Sequence, residues 1–394
     1  MDTQNTPIHI HLWNKDFWKL ALANLLLSIS VYMMIPMTGR YTALHEFSPM
    51  TRGLIMGSTG IGLFLFGPFV NYLIQRYRRN QVCLYAMTAV AIIELLTMQV
   101  QSSRLLTGQH LVYSLIALRI LLGAAFGLSQ MVMVSTLVID LCESLHRTEA
   151  NYALSWFGRF ALSLGPLLVT MLYNASVAPQ WIYYTAMAIT FFSILLVNRI
   201  KFPFKTPEDD VHLTGTDRFF LPRGKWLFLL LTFITIIVGI LLTLPLTPLF
   251  FGMMMAGFFL SLLAEKFAFA DANLRSETVT GLLAIIAALL ILLSDDRLAV
   301  LFISPILFGF GIGIIGSRLL LFFIKLTTHC QRGTSQSSFF LAWEAGIAVG
   351  LFIGCTFLVG RPSTALLSGV AIAIVALILY NLFVHTWYVE HKNR

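Results

Sequence analysis

Apolar residues come in runs of about 20, separated by short polar or basic stretches, along nearly the whole chain. A helix crossing a hydrocarbon core of roughly 30 Å needs about that many residues, so each run predicts one membrane-spanning helix. The first half carries six, over 17–37, 51–74, 82–100, 110–141, 152–173 and 181–200. The second half carries six more, over 226–244, 246–263, 278–294, 298–326, 335–359 and 363–384, with the first two of these meeting at Pro245. A polar insertion containing Thr206-Pro-Glu-Asp-Asp210 divides the halves. The expected organisation is therefore an N-terminal six-helix bundle (1–200), a cytoplasmic linker (201–225) and a C-terminal six-helix bundle (226–394).

Composition closes off the soluble alternative: 58% hydrophobic residues, 11% charged residues and a mean hydropathy of +0.82 do not describe a water-soluble domain. The net charge of +8 is topological. Lys and Arg stay on the cytoplasmic side of inserted helices. With both termini inside, the basic residues of 15–19, 76–79, 147, 201–225, 266, 275, 325 and 332 fall in the cytoplasm, and only Arg40, Arg52, Arg104, Arg297 and Arg361 fall outside. The expected setting is a multi-pass protein of a bacterial inner membrane, a monomer among lipids, with no nucleic-acid partner. The first run lacks a small-residue cleavage site and reads as an uncleaved anchor. Cys83, Cys142, Cys330 and Cys355 lie in helices or at their ends, and no disulfide is expected.

The two halves repeat each other. Gly67-Pro-Phe-Val-Asn-Tyr-Leu-Ile-Gln-Arg-Tyr-Arg-Arg79 ends the second run and returns as Gly257-Phe-Phe-Leu-Ser-Leu-Leu-Ala-Glu-Lys-Phe267. Pro36 and Pro245 follow Phe17 and Trp226 by one interval, and each should bend or end the first helix of its half. Arg147, Arg159 and Gly165 match Arg332, Glu344 and Gly350 at a constant offset, so opposite charges occupy equivalent places. Internal repeats of this kind are a transporter signature.

On these residues the chain resembles a major facilitator superfamily transporter over essentially its whole length. The resemblance implies an all-α membrane fold of two pseudo-symmetric six-helix bundles around a central cavity, working by alternating access. In the loop after the second helix, Gly67, Arg76 and Arg79 match the family pattern, whereas Gln75 stands at its acidic position; Glu265 and Lys266 fill the equivalent place in the second half. Arg119-Ile-Leu-Leu-Gly123-Ala-Ala-Phe-Gly127 is similar to the family's motif on helix four, which is linked to proton coupling. Gly158 and Gly165-Pro166 partly match the antiporter motif on helix five and lean the expected direction toward export.

The interior charges carry the functional expectation. An ionised group near the bilayer centre costs roughly 2.5 to 3.5 kcal/mol even on lenient scales, so it needs a wet cavity or a partner. Glu94, Arg119, Arg159, Arg318 and Glu344 are such groups. Arg159 and Glu344 fall about ten residues, or roughly 15 Å, from the cytoplasmic surface, near the midplane where transporters hold substrate. Arg159 is read as an anion anchor and Glu344 as a protonatable switch, against the alternative of a buried pair that locks two helices. Trp156, Trp343 and the polar Asn24 join this set, and Arg318 is expected to snorkel to the surface. Asp140, Glu143 and Arg147 form a candidate cytoplasmic gate with the 76–79 loop. Gly346, Gly350 and Gly354 recur every fourth residue and read as a helix-packing face, as does Gly311-Ile-Gly313-Ile-Ile-Gly316, which follows no strand as a dinucleotide motif must.

No phosphate loop, catalytic triad or His-Glu-x-x-His arrangement occurs, and His9 and His11 stand alone in a terminal tail. No enzyme, cofactor or metal is expected. The expectation is a secondary transporter of a small organic molecule, anionic or amphiphilic, coupled to protons or to sodium. Proton-coupled nutrient uptake and lipid or lysolipid flipping are the rival expectations.

Overall fold

The computed structural model describes residues 12–103, 107–143, 146–203, 206, 208, 211–269, 273–294, 297–328 and 331–392. His9, His11, Arg104, Lys205, Cys330 and Arg394 lie outside these. Among the described residues every regular element is a helix. Among the same residues, twelve helices are long and apolar enough to span a membrane. In the first half these are α1 (Lys15–Leu44), α2 (Pro49–Arg76), α3 (Arg79–Ser102), α4 (Gly108–Asp140), α5 (Arg147–Asn174) and α6 (Pro179–Asn198). The second half has α7 (Pro222–Leu241), α8 (Pro248–Phe267), α9 (Leu274–Leu292), α10 (Ala299–Lys325), α11 (Arg332–Phe357) and α12 (Pro362–His391).

Packing within the halves follows one rule. α1 lies on α5 and α6, α3 on α4 and α6, and α2 on α4; in the second half α7 lies on α11 and α12, α9 on α10 and α12, and α8 on α10. The halves meet through α2 against α11 and α5 against α8, which are again equivalent pairs. This is a 6+6 architecture whose main helix contacts have pseudo-symmetric counterparts. Large side chains such as Tyr85, Phe191, Phe192, Leu229 and Leu263 are exposed around its perimeter. A lipid solvent accepts that surface, and the protein is an integral multi-pass membrane protein.

Close approach explains the glycines. A Cβ on Gly165 would run into the backbone of Ile29 and the Tyr32 side chain, and one on Gly350 into the backbone of Ile236 and Gly239. Equivalent glycines thus let α5 meet α1 and α11 meet α7. Gly346 and Gly354 extend the second contact to Thr232 and Thr243, and Gly123 and Gly127 hold α4 against the backbone of Thr59 and Leu63 in α2. Gly158 is different: a Cβ there would meet only Asn24 Nδ2 at 3.5 Å.

Three boundaries differ from the sequence expectation. Pro36 lies inside α1, which continues to Leu44; a membrane helix tolerates the one missing N–H when its surroundings are protein. Pro245 instead falls in the loop between α7 and α8, where Thr247 caps Phe250 N at 3.3 Å and Pro248 opens α8. α8 also runs past residue 263, so Glu265 is a helical residue of the last turn and not part of a loop.

Candidate functional site at the midplane

Arg159 is 2% exposed on α5. Its Nη1 donates to Gly313 O and to Ser317 Oγ of α10, both at 2.8 Å. Nη2 donates to Ser155 Oγ at 3.0 Å, and the guanidinium lies 3.9 Å from the Trp156 ring centroid. Ser155 and Trp156 reach it because they precede it by about one helical turn. Room comes from the 311–316 stretch of α10: a Cβ on Gly316 would collide with the Arg159 side chain. Each of these partners of the buried cation is neutral. The hydrogen bonds orient the charge and leave it uncompensated.

Glu344 faces it from α11 and accepts a hydrogen bond from Tyr32 Oη of α1 at 2.5 Å. Among the described residues no ion pair joins Glu344 to Arg159. Both line a pocket of about 40 Å³ together with Asn24, Gln130, Phe339 and Trp343. Gln130 Nε2 donates to Asn24 Oδ1 at 2.8 Å and to Ser28 Oγ at 3.2 Å, while Asn24 Nδ2 donates to Leu154 O at 3.0 Å. A second pocket of about 30 Å³ is lined by Glu344 and by Arg119, whose Nη2 donates to Met56 O at 3.4 Å. Glu344 therefore shares one small, largely apolar pocket with each of two buried arginines.

Other interior charges stand apart. Glu94 is fully buried within the first bundle, where Thr190 Oγ1 lies 3.2 Å from its carboxylate and 2.7 Å from Ser30 Oγ. It lines neither pocket. Arg318 does not snorkel; it pairs with Glu277 of α9. Glu265 has Ser317, Arg318 and Glu277 as its polar neighbours.

At the face where α1 begins and α12 ends the helices are closed. Arg79 Nη1 reaches both oxygens of Asp140 at 2.8 Å, fastening α3 to α4. The segment before α7 stitches the two halves. Gly215 N donates to Pro68 O at 2.9 Å, Arg218 donates from Nη1 to Ser135 O and from its backbone to Thr334 Oγ1, and Leu221 N donates to Ser338 Oγ at 2.7 Å. Ser135 lies in a π-turn over Met133–Leu137, which leaves carbonyls without their usual helical partner. The Phe219 ring fills the space where Gly67 lacks a side chain. Burial pulls the Arg218 guanidinium below its ordinary value, and Asp217 beside it opposes that shift. Gln75 accepts from Glu208 N at 3.1 Å, Arg76 ends α2, Glu143 O caps His146 N at 3.0 Å, Arg147 opens α5, and Lys266 lies over the Phe267 ring.

Burial also pushes the Cys142 thiol up to about 11, with Asp140 adding to the shift and Arg147 opposing it. Opening this face returns the thiol toward its ordinary value. Arg79→Gln should raise the maleimide labelling rate of Cys142 about tenfold, one unit of thiol pKa; an unchanged rate would mean that the ion pair does not hold the face shut.

Toward the opposite face a cavity of about 540 Å³ reaches from Pro36 and Phe251 to the helix ends at Arg40, Tyr173 and Arg361. The helices are thus closed at one face and leave this cavity at the other.

The sequence profile of the Major Facilitator Superfamily matches residues 20–351. The chain belongs to this superfamily. It is a membrane transporter and not an enzyme. A D-xylose-proton symporter superposes with a TM-score of 0.70 at 12% identity, covering 93% of this chain and 97% of its own. The nucleoside transporter NupG, in a mutant form, gives 0.68 at 12% over 93% and 99%. The human organic anion transporter MFSD10 gives 0.66 at 15% over 92% and 98%. At these identities the likeness is one of fold. No curated protein matches the chain.

Within this superfamily fold, the site draws on residues that charge alone does not flag. Tyr32, Gln130, Ser155 and Ser317 are neutral, and Arg218 sits in a polar insertion. A signal was available for the first four, since a polar residue inside an apolar run is costly unless it is paired.

Proposed function

We propose that this transporter is a proton-coupled symporter that takes up a small organic anion. The observation that carries the reading is Glu344 sharing one small pocket with Arg159 and another with Arg119. Ionised, Glu344 is a built-in anion that competes for the two cations. Protonated, it leaves both arginines free for a substrate carboxylate or phosphate. Proton and anion therefore favour each other's binding, which is the sign of coupling that symport requires. Antiport of an anion against protons needs the opposite sign, so this reading reverses the lean toward export given by the partial motif on α5.

The basic-residue excess at the face where α1 begins and α12 ends supports a cytoplasmic placement of that face, in a bacterial inner membrane, which makes the 540 Å³ cavity the outer one. An inward proton gradient then drives accumulation. Arg76, Arg79, Asp140, Arg147 and the Arg218 segment act as the cytoplasmic gate, and Glu94, in contact with Thr190, serves within the first bundle.

The test is a liposome reconstitution with an internal pH dye. Aromatic carboxylates such as 1-naphthoate, small phosphate esters, sugars, lipophilic cations and lysolipids are added outside. Inward proton movement driven by an anion and by none of the neutral or cationic compounds is the expected result. Flux driven only by lysolipid would replace this reading with lipid movement.

A further inference from the structure

Three arginines that are far apart in sequence meet in one cavity. Arg40 of α1, Arg52 of α2 and Arg361 just before α12 all line the 540 Å³ outer vestibule, and its lining holds no aspartate or glutamate among the described residues. Arg40 lies 4.2 Å from the Tyr173 ring centroid, and Arg52 Nε donates to Phe47 O at 3.0 Å. Those contacts use one face of the first guanidinium and one donor of the second. The remaining wall is largely apolar, with Leu244, Phe251 and Leu358 in it.

The cations continue inward. Cys355 on the vestibule wall has both Arg52 and Arg119 in electrostatic range. Arg119 in turn donates to the carbonyl of Met56, another wall residue, and lines the small pocket that holds Glu344. Positive charge thus steps from the mouth to the midplane.

We infer that the outer vestibule is an anion-capture site, which holds an organic anion of carboxylate or phosphate head and apolar body before it passes to the midplane. Like charges in a cleft with low-dielectric walls focus the field and raise both local anion concentration and on-rate by about tenfold or more. Guanidinium planes match carboxylate and phosphate geometry, and the apolar wall receives the body of the ligand. The inference rests on the proposed anionic cargo for its purpose, but the charge of the vestibule stands whether or not Glu344 couples.

Cys355 is a free cysteine on that wall, while Cys83 is buried. Full-length protein keeping only Cys355 (Cys83→Ser, Cys142→Ser, Cys330→Ser) is reconstituted in uncharged phosphatidylcholine vesicles. It is reacted from outside with anionic sulfonatoethyl or cationic trimethylammonioethyl methanethiosulfonate. Each reagent places its thioalkyl group on the thiolate as a mixed disulfide and releases methanesulfinate. The ratio of the two rates, normalised to that for 2-mercaptoethanol, is therefore independent of how readily the thiol ionises.

The expected ratio favours the anionic reagent by about tenfold at low ionic strength. It falls toward one in about 0.5 M salt, where the screening length is only a few ångströms. It falls likewise in Arg40→Gln/Arg361→Gln. A ratio near one in the otherwise unaltered protein, or one that ignores the double substitution, overturns the inference. 1-Naphthoate should also slow labelling, and equally so in Arg159→Ala. Protection lost in Arg159→Ala would place naphthoate only at the midplane and would overturn the vestibule as a binding site. Protection and charge ratio intact, without naphthoate-driven proton flux, would instead sink the symport reading and leave the vestibule standing.

Discussion

Glu344→Gln should bind 1-naphthoate with an affinity that no longer varies between about pH 5.5 and 8.5, and should exchange it across the membrane without moving protons. The glutamine keeps an acceptor for the Tyr32 hydroxyl and mimics the protonated acid, so the pocket is locked in its anion-accepting form. Two opposite unit charges about 8 Å apart interact by roughly 2 kcal/mol at an effective dielectric of about 20. That is about thirtyfold in affinity.

The sign follows from the competition between carboxylate and substrate. In the unaltered protein, raising the pH removes the proton from Glu344, restores the internal anion and weakens substrate binding by about that factor. By reciprocity a bound anion strengthens proton binding equally. The variant should therefore match the parent at low pH and exceed it about thirtyfold at high pH. Fluorescence of Trp156 and Trp343, which flank the pocket, gives the binding curves. A Gln variant that retains the parental pH dependence would move the titrating group elsewhere, with Glu94, buried among Ser30 and Thr190, the next to substitute.

The fold was legible because span length and the repeat are local properties of the chain. Twelve runs and the equivalence of Gly165 with Gly350 already imply two like halves. The structure adds that both glycines hold the fifth helix of a half against its first. Less legible was anything set by the meeting of distant helices. Arg159 and Glu344 were recognisable as midplane charges, but their partners on α10 and α1 follow from packing between elements. The fate of Arg318 shows the difference: its height along α10 suggested an exit to the surface, yet Glu277 from α9 meets it inside the bundle. The outer arginines were visible only as exceptions to the charge bias, because nothing in a linear count says that Arg40, Arg52 and Arg361 share a cavity.

Arg159→Ala should lower the affinity for 1-naphthoate about a hundredfold, while leaving the affinity for neutral 1-naphthamide and the melting temperature in detergent close to the parental values. The first part reflects loss of a desolvated charge facing an anion, for which truncation costs about 2 to 5 kcal/mol. The second part separates this residue from a structural ion pair. Removing one member of a buried pair strands the other charge and costs about 3 to 5 kcal/mol of stability. Arg159 has no ion-paired partner to strand among the described residues: its hydrogen-bond partners are Gly313 O, Ser317 Oγ and Ser155 Oγ, and Ser317 already donates to Gly313 O at 3.0 Å. Deleting it even relieves the desolvation of a cation paired with no anion among the described residues, which offsets part of the packing lost against Trp156. Arg159→Lys should recover little of the binding. A single ammonium cannot contact α10, Ser155 and the Trp156 face at once, nor present a planar fork to a carboxylate. A large fall in melting temperature together with equal losses for naphthoate and naphthamide would make Arg159 a packing residue. A selective loss of the anion in a stable protein is what a cation held in place by neutral groups, for a ligand that brings the missing charge, should show.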